Sequence, residues 1–538
     1  MPRSHRGLGP LPVAPCLLSL VFGPLSFVLS LDAQPAPFPI EETTIAKVHA
    51  AMRAHQLTCR QLVDAYLQRI ARYDKNEPPI NAIVLTNPNA LQEADELDRR
   101  FTSGGPTGPL HCVPTIVKDN FETIGLQSAD GSLALKGFVS DKDAFLVKRI
   151  KAAGAIVLAK SNMAEFAFSP NETVNSLLGT TRNPYDLTRV PAGSSGGTAA
   201  AVASNFGLVG LGSDTGNSIR GPSSHAALVG IRSTMGLTSR AGVIPLSYLA
   251  DIAGPMARTV EDATAVFQAI VGEDPDDPMT ARSHGRPVPK YANALKKDGL
   301  KGARIGVLHQ AWERPGNPNN PNANAPVIDD EVARVFHQAL ADMTTAGATI
   351  VDDAKVDLPA RPQGGGGGGC RGFRYDLDEY LATRGQKAPA HSLAEILASP
   401  AFASFPQTVA QRATQAARGT PQGPDSDACK ADAAYRQAFG DAVTKTMDRL
   451  KLTAYVYPTW SFPPRPLDSA TTQAGDNSQV FSPTSGFPAI NVPMGFTRNN
   501  TLPAGMTIYG RAWDEATLIR VAYAYEQATH HRHPPTLK

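Results

Sequence analysis

A serine-rich stretch at residues 191–204, PAGSSGGTAAAVAS, contains the first candidate nucleophile of this sequence. Gly193, Ser195 and Gly197 satisfy the G-x-S-x-G pattern, which places a nucleophilic serine on a sharp turn between a strand and a helix. Such a site needs a strand directly before the serine, together with an acid and a histidine later in the chain. The preceding residues, DLTRVP at 186–191, are polar and end in proline, which disfavours a buried strand. The candidate histidines, none of which has a local signature, are His225, His309, His337 and His391.

Two lysines stand where apolar runs end. Lys118 follows the run at 110–117, and Lys160 follows AIVLA at 155–159. Burial penalises the charged ammonium form, so a lysine at the end of a buried strand is expected to have a lowered pKa. Ser218, in GSDTGNSIRGP, comes shortly after a third apolar run, at 208–211.

Lys118 in VPTIVKDN, Ser194 in GSSGGT and Ser218 in GSDTGNSIRGP together resemble the motifs of the amidase signature family of serine hydrolases. The Gly/Ser-rich core of that family is matched from about residue 191 to 247. The wider similarity runs from about residue 40 to 271 and returns in SGFPAINVPMGF and LPAGMTIYGRAWDEATLIRVAYAYE. The resemblance implies that Ser218 is the nucleophile, that Ser194, preceded by a cis peptide bond, is a bridging serine, and that Lys118 is the base. It gives no such role to Lys160, which we interpret as a peripheral ion-pairing lysine.

The implied roles agree with elementary chemistry. A serine hydroxyl is a weak nucleophile until a base takes its proton, and a lysine can do so only when it is neutral. Lowering a lysine pKa from about 10.4 by about three units costs roughly 4 kcal/mol, which burial can impose. Ser194 can both donate and accept a proton, so it can pass the proton of Ser218 to Lys118 and later return it to the leaving amine.

The turn before Ser218 is expected to stabilise the oxyanion. By resemblance, the oxyanion hole consists of the backbone N–H groups of Thr215, Gly216, Asn217 and Ser218; losing one such donor typically costs about 3 to 4 kcal/mol. Asn217 departs from the family, which has a second glycine at this position. Asparagine tolerates a positive φ better than most residues, so we expect the turn to be kept and substrate preference to change more than catalysis. The residues expected to orient the triad without reacting are Ser195, Asp119 and Arg220.

The elements that must position these residues predict an α/β fold. Strands alternate with helices, as in INAIVLT at 80–86 followed by a helix at 89–101, and this alternation indicates a sheet with helices on both faces. With the resemblance, the expected fold is an α/β/α sandwich around a large mixed central sheet. We expect one domain at 34–538, with a signature core at about 110–250 and a variable helical and glycine-rich insert at about 315–450. Other elements are predicted at 143–153, 303–308, 375–381, 485–496 and 515–529, with a capping box at Thr58 and Gln61.

Charge and cysteine content exclude several classes of partner. The chain has 51 basic and 49 acidic residues and a formal net charge of +2, so neither nucleic acid nor an anionic membrane is an expected partner. The spacing of the cysteines differs from that of zinc sites, and we expect no metal. The serine chemistry that the resemblance implies needs no cofactor. The C-terminal histidines, His530, His531 and His533, are expected to be solvated. Four cysteines could pair in three ways: Cys59, Cys112, Cys370 and Cys429.

Residues 1–33 are typical of a secretory signal peptide. Arg3 and Arg6 precede an apolar stretch at 17–31, which Gly23 and Pro24 interrupt and which is short for a membrane span. We therefore expect a secreted or periplasmic protein with no stable membrane insertion after removal of the signal. An uncleaved anchor is the alternative.

The sequence thus predicts an exported amidase that hydrolyses a small-molecule amide to an acid and ammonia or an amine. Three alternatives are retained: an esterase of α/β-hydrolase type that uses Ser195, a glutaminase-type subunit of the tRNA-dependent amidotransferase, and a non-catalytic binding protein with the same fold. The identity of the amide and the oligomeric state are left open.

Overall fold

The computed structural model describes residues 7–12, 38–313, 327–361, 370–420, 422–469 and 475–537. The chain divides into two units, Met1–Phe38 and Pro39–Lys538. The predicted signal peptide at 1–33 lies outside the described residues except for 7–12, which have no regular secondary structure. The glycine run at 364–369 also lies outside them.

Within the described residues, eleven strands form one mixed sheet. They are β1 (Ile83–Thr86), β2 (Pro114–Lys118), β3 (Ile156–Ser161), β4 (Val209–Asp214), β5 (Val229–Arg232), β6 (Ile252–Ala257), β7 (Arg304–Val307), β8 (Thr349–Val351), β9 (Ala454–Pro458), β10 (Ala489–Thr497) and β11 (Leu502–Tyr509). Their spatial order is β1-β3-β2-β4-β6-β5-β10-β11-β9-β7-β8. β2 is parallel to β3 and β4, and β7 is parallel to β8 and β9, whereas the other pairs are antiparallel.

Helices pack against this sheet and complete an α/β sandwich. They are α1 (Ile45–Arg53), α2 (Cys59–Tyr73), α3 (Ala90–Gly104), α4 (Phe145–Ala152), α5 (Gly196–Ala203), α6 (Arg220–His225), α7 (Val260–Ile270), α8 (Asp330–Thr345), α9 (Gly372–Ala382), α10 (Leu393–Ala398), α11 (Gln407–Arg418), α12 (Asp427–Leu450), α13 (Phe481–Ser485) and α14 (Glu515–Thr529). The expected mixed sheet with helices is confirmed.

Local sequence explains where several elements begin and end. Thr58 caps α2 with the predicted capping box, in which Gln61 returns the hydrogen bond. β2 begins at Pro114, later than the predicted start at 110, because Cys112 has a φ of 55° and breaks the extended chain. β1 is shorter than predicted and lies at the edge of the sheet. β11 and the 24-residue α12 had no counterpart among the predicted elements.

Two disulfides decide between the three possible pairings. Cys59 is bonded to Cys112, which joins the start of α2 to the turn before β2, and Cys370 is bonded to Cys429, which joins the segment before α9 to the first turn of α12. The second disulfide closes the helical part of the variable insert.

An apolar cluster joins α9, α10 and α11 to loops of the signature core, and we call it the insert cluster. Its members on the side of the signature core lie in the segments 129–138 and 166–168 and at Ile244. Phe166 and Phe168 pack against Phe373 of α9, with ring centroids 5.7 Å and 4.6 Å apart. The insert helices supply Leu377, Tyr380, Leu381, Leu393, Ile396, Val409 and Ala413.

The C-terminal tail is docked, and the expectation that its histidines are all solvated is wrong. The ring of His533 stacks on that of Phe496, with centroids 3.8 Å apart, and His531 lies 3.3 Å from a carboxylate oxygen of Asp342. Arg532, between them, forms an ion pair with Glu42. The expectation rested on the polar composition of the tail, whereas the contacts of His531 and His533 come from elements distant in sequence.

Candidate active site

Lys118, at the carboxyl end of β2, forms the centre of a buried polar group. Its Nζ donates hydrogen bonds to Ser194 Oγ, at 2.7 Å, and to Ser213 Oγ, at 2.8 Å. Asn120 Nδ2 also donates to Ser213 Oγ, at 3.0 Å. Sequence reasoning missed Ser213 and Asn120. The signal that could have found Ser213 is its place near the end of β4, because the carboxyl ends of neighbouring parallel strands meet at one edge of a sheet.

Ser194 lies in a position that only glycine can precede. The peptide bond between Gly193 and Ser194 is cis, as the resemblance implied. A Cβ on Gly193 would stand 2.3 Å from the carbonyl oxygen of Glu172 and 2.5 Å from that of Ser169, which leaves no space for a side chain. The carbonyl of Ser194 accepts a hydrogen bond from the N–H of Ala164. The backbone around this serine is therefore closely packed.

Burial favours the neutral form of Lys118. Removal from water lowers the pKa of its amine to about 7, although the nearby carboxyls of Asp130, Asp251 and Asp214 act in the opposite direction. A neutral amine has a lone pair that can accept the hydroxyl proton of Ser194. Burial thus makes Lys118 easier to deprotonate, as a catalytic lysine base requires.

Lys160 is not peripheral, and no ion pair of it occurs among the described residues. It is fully buried, and its Nζ donates to the carbonyl oxygens of Phe121 and Gln127 and to Ser128 Oγ. In the pairing of β2 with β3, Lys160 lies opposite Val117, whereas Lys118 lies opposite Ser161. Because side chains alternate between the faces of a sheet, Lys160 lies on the face opposite to that of Lys118.

Asp214 fixes the turn that leads to Ser218. Its carboxylate accepts hydrogen bonds from the N–H of Ile219 and from the guanidinium groups of Arg220 and Arg232. Burial alone would raise the pKa of Asp214, but the two guanidinium groups lower it to about 2. Arg220 also donates to the carbonyl oxygen of Gly216, at 2.6 Å. Arg220 therefore acts on the turn and makes no described contact with Lys118 or Ser194.

The turn presents free backbone donors. Among the described residues, no acceptor bonds to the backbone N–H groups of Thr215, Gly216, Asn217 or Ser218. Thr215 is held from outside the turn, because its hydroxyl donates to Asp251 Oδ1 at 2.5 Å. Aligned N–H groups without acceptors are what an oxyanion requires. Ser218 itself is 5% exposed, and no hydrogen bond joins its hydroxyl to Ser194 within the part of the chain described.

The side chain of Asn217 fills the space left free by the missing side chain of Gly221. A Cβ on Gly221 would stand 2.0 Å from Asn217 Nδ2, so the two residues fit only as a pair. The Asn217 side chain is fully buried, and neither of its polar atoms has a hydrogen-bond partner among the described residues. The indole of Trp460 donates to the carbonyl of Gly221, which fixes the other side of this contact.

Ser195 has none of the partners that a nucleophile elbow requires. Its hydroxyl donates to the carbonyl oxygen of Ser213, at 3.2 Å, and irregular turns rather than a strand precede it. His225 is buried and stacks on Trp460, whereas His309 and His391 pair with carboxylates on the surface. Asp119, expected to orient the triad, instead accepts from the N–H groups of Ala129 and Gly131 and so holds the 128–132 loop.

The described residues offer neither a metal site nor a membrane-spanning helix. They contain no group of three or more side chains arranged to hold a metal ion. None of their helices combines the length and apolar character that crossing a bilayer needs.

Comparisons with known proteins place this chain in a family. A family profile described as Amidase matches residues 61–519. The chain belongs to the amidase family. This amidase is similar to the native peptide amidase of Stenotrophomonas maltophilia, with 37% identity, coverage of 93% of this chain and 100% of the other, and a TM-score of 0.81. It is 32% identical to a glutamyl-tRNA(Gln) amidotransferase subunit of Synechococcus sp., over 92% of this chain and 94% of that protein. A probable amidase of Arabidopsis thaliana is also 32% identical, over 93% and 92% of the two chains.

The amidase family gives the fold and the general chemistry. The α/β sandwich is that of solved amidase structures, and the protein is an amide-hydrolysing enzyme. The roles of individual residues rest on the geometry above and on the sequence motifs.

Proposed function

We propose that this amidase cleaves a carboxylic amide through an acyl-enzyme on Ser218, with Ser194 as proton relay and Lys118 as base. The observation that carries the proposal is the buried hydrogen bond between Lys118 and Ser194, in which Lys118 has a pKa of about 7. The free N–H groups of the turn before Ser218 support it as an oxyanion hole.

The proposed acylation step balances its protons within the triad. Ser218 Oγ forms a bond to the carbonyl carbon while its proton passes to Ser194 and the proton of Ser194 passes to Lys118. The C–N bond then breaks as the Lys118 ammonium returns a proton through Ser194 to the leaving nitrogen. Water attacks the acyl-enzyme by the same route, and the products are a carboxylic acid and ammonia or an amine.

A serine-directed fluorophosphonate tests which serine reacts. We expect intact-mass spectrometry to show one adduct on the wild type and on Ser195→Ala, and none on Ser218→Ala. Ammonia release from a panel of small amides should follow the same pattern. Labelling that survives Ser218→Ala and is lost in Ser195→Ala would instead support the nucleophile elbow.

Within this chemistry, a peptide C-terminal amide is the proposed substrate class. The support is the similarity to the Stenotrophomonas maltophilia peptide amidase over nearly the whole of both chains. The second candidate is a glutaminase-type subunit, which the similarity to the glutamyl-tRNA(Gln) amidotransferase protein favours. Ammonia release by the purified protein alone from peptide amides, but not from free glutamine, is expected for the first. The reverse preference, or activity only with partner subunits, would support the second.

We further propose that the protein is exported. Its two disulfides support this, because disulfides persist in oxidising compartments and are rare in reducing ones. The N-terminal sequence agrees with a signal peptide. Cell fractionation with N-terminal sequencing tests the proposal: we expect a chain that starts near residue 34 outside the cytoplasm, and a full-length, reduced cytoplasmic protein would contradict it.

A further inference from the structure

Gln479 covers the turn that leads to Ser218. A Cβ on Gly216 would stand 2.0 Å from Gln479 Oε1, so the carboxamide lies directly on the Gly216 backbone. Gln479 is nevertheless exposed, unlike the buried residues on either side of the turn. Gln479 therefore lies at the surface of the site, against Gly216, which precedes the nucleophile Ser218 by two residues.

The orientation of the Gln479 carboxamide is fixed by Asp476. Gln479 Nε2 donates to Asp476 Oδ2 at 2.6 Å, and the other oxygen of Asp476 accepts from the N–H of Ser478. Burial raises the pKa of Asp476 to about 6, so above that pH its carboxylate can only accept and Nε2 must face it. Gln479 Oε1 is left as an acceptor, with no hydrogen-bond partner among the described residues.

The segment that carries Gln479 is tied to the turn. The Arg220 guanidinium donates both to the carbonyl oxygen of Gly216, at 2.6 Å, and to that of Ser478, at 3.3 Å. Because one side chain holds both backbones, the distance between Gln479 and Gly216 is fixed before a substrate binds. Such preorganisation is what a specific contact in an active site requires.

We propose that Gln479 Oε1 accepts a hydrogen bond from an N–H group of the substrate adjacent to the scissile carbonyl. This inference rests on the proposed function, in which the carbonyl oxygen binds the N–H groups of residues 215–218. The atoms bonded to the carbonyl carbon then lie beside Gly216 and within reach of Oε1. Two N–H groups have this position: that of the scissile amide itself, and that of a peptide-like acyl group.

The contact is expected to act as a selectivity filter. A bound substrate covers Oε1 and removes it from water, and an acceptor covered without a donor is penalised. Sites built around a substrate N–H therefore reject analogues that lack it more strongly than sites that measure size alone. Gln479 would make this enzyme select amides over esters, or peptide amides over simple carboxamides.

Three substrates and two variants test the proposal. The reference is N-acetylphenylalanine amide; its methyl ester lacks the scissile N–H, and 3-phenylpropanamide lacks the acyl-side N–H. Gln479→Met removes the acceptor at an exposed position. Gln437→Met is the matched control, because Gln437 Nε2 also donates to an aspartate, Asp441, at 2.8 Å, but on α12.

We expect Gln479→Met to lower kcat/KM for the reference amide by about tenfold or more and Gln437→Met to leave it within about twofold. If Gln479→Met leaves kcat/KM for the methyl ester unchanged, the scissile N–H is the donor. If it leaves kcat/KM for 3-phenylpropanamide unchanged, the acyl-side N–H is the donor. An equal loss on all three substrates, or no loss on any, would overturn the proposal. The fluorophosphonate labelling rate should stay unchanged in Gln479→Met, which shows that the turn is intact. Loss of the proposed function itself is detected separately, as amide turnover that persists in Ser218→Ala.

Discussion

Lys118 Nζ lies 2.7 Å from Ser194 Oγ, and neither residue exposes any surface to solvent. The contact is closed to water, and this removal from water, more than the neighbouring carboxyls, sets the protonation state of Lys118.

The rate of Ser218 modification should depend on pH through Lys118. Burial lowers the Lys118 pKa to about 7, so its amine is neutral and able to accept a proton above that pH and charged below it. We expect the fluorophosphonate labelling rate to rise with a midpoint near pH 7, measured between pH 5.5 and 9. A rate that is independent of pH across this range would exclude Lys118 as the base.

Lys118 is also expected to lower the stability of the fold. Its folded pKa of about 7 lies below the ordinary value of 10.5. The unfolded state therefore binds more protons between these values, and this contribution rises with pH up to about 10.5 and is most unfavourable below about 7. Lys118→Met should abolish turnover and keep or raise the unfolding midpoint at pH 7. Lys160→Met is the contrasting variant. Burial also lowers the pKa of Lys160, to about 8, but the substitution leaves two buried carbonyls and a hydroxyl without their donor, so its midpoint should fall.

Asn217 and Gly221 should behave as a coupled pair. Gly221→Ala places a Cβ 2.0 Å from Asn217 Nδ2 and must displace the residue before the nucleophile. We expect kcat to fall by about tenfold or more, because oxyanion donors lose their alignment. Asn217→Gly combined with Gly221→Ala should restore most of the loss, and a double variant as slow as Gly221→Ala alone would show that the two residues are independent.

The two disulfides should differ in their effect on catalysis. Replacing either pair of cysteines by serine is expected to cost about 2 to 5 kcal/mol of unfolding free energy. Cys370 precedes Arg371, which bonds to Asp376 and stacks on Tyr248, and Asp376 in turn accepts from the Tyr248 N–H.

Loss of the Cys370–Cys429 bond should therefore loosen the insert helices against the core loops and raise KM for a peptide amide more than it lowers kcat. Loss of Cys59–Cys112, which is remote from these contacts, should leave KM unchanged. Calorimetry and steady-state kinetics on both double variants measure the difference; equal KM values would show that loosening the insert does not affect substrate binding.

The sequence allowed prediction of those parts of the site that depend on local pattern. Lys118 and Ser218 follow apolar strands, and the glycines around Ser194 reflect close backbone packing, so their motifs could be read from short stretches. The capping box at Thr58 and the helix at 515–529 were likewise local.

Contacts between distant segments could not be predicted in the same way. The interpretation of Lys160 as a peripheral residue is wrong because its burial depends on the pairing of β2 with β3 and on the 128–132 loop. Ser213 and Asn120 lie near the ends of two neighbouring strands and contact each other only in the folded chain. Gln479 contacts the turn from a segment some 260 residues after the nucleophile. The pairing of the cysteines also required the folded chain.

The strand order has a consequence for biosynthesis. Residues 83–257 form one part of the sheet, β1 to β6, and residues 304–458 form another, β7 to β9. In the sheet these two parts are separated by β10 and β11, which come last in the sequence, at 489–509. A chain interrupted before residue 489 contains Lys118, Ser194 and Ser218 but leaves β5 and β9 as open edges, which promote aggregation. We therefore expect the ribosome to complete almost the entire message before a copy of this protein can become a working catalyst, and truncated products to carry the chemical groups without the activity.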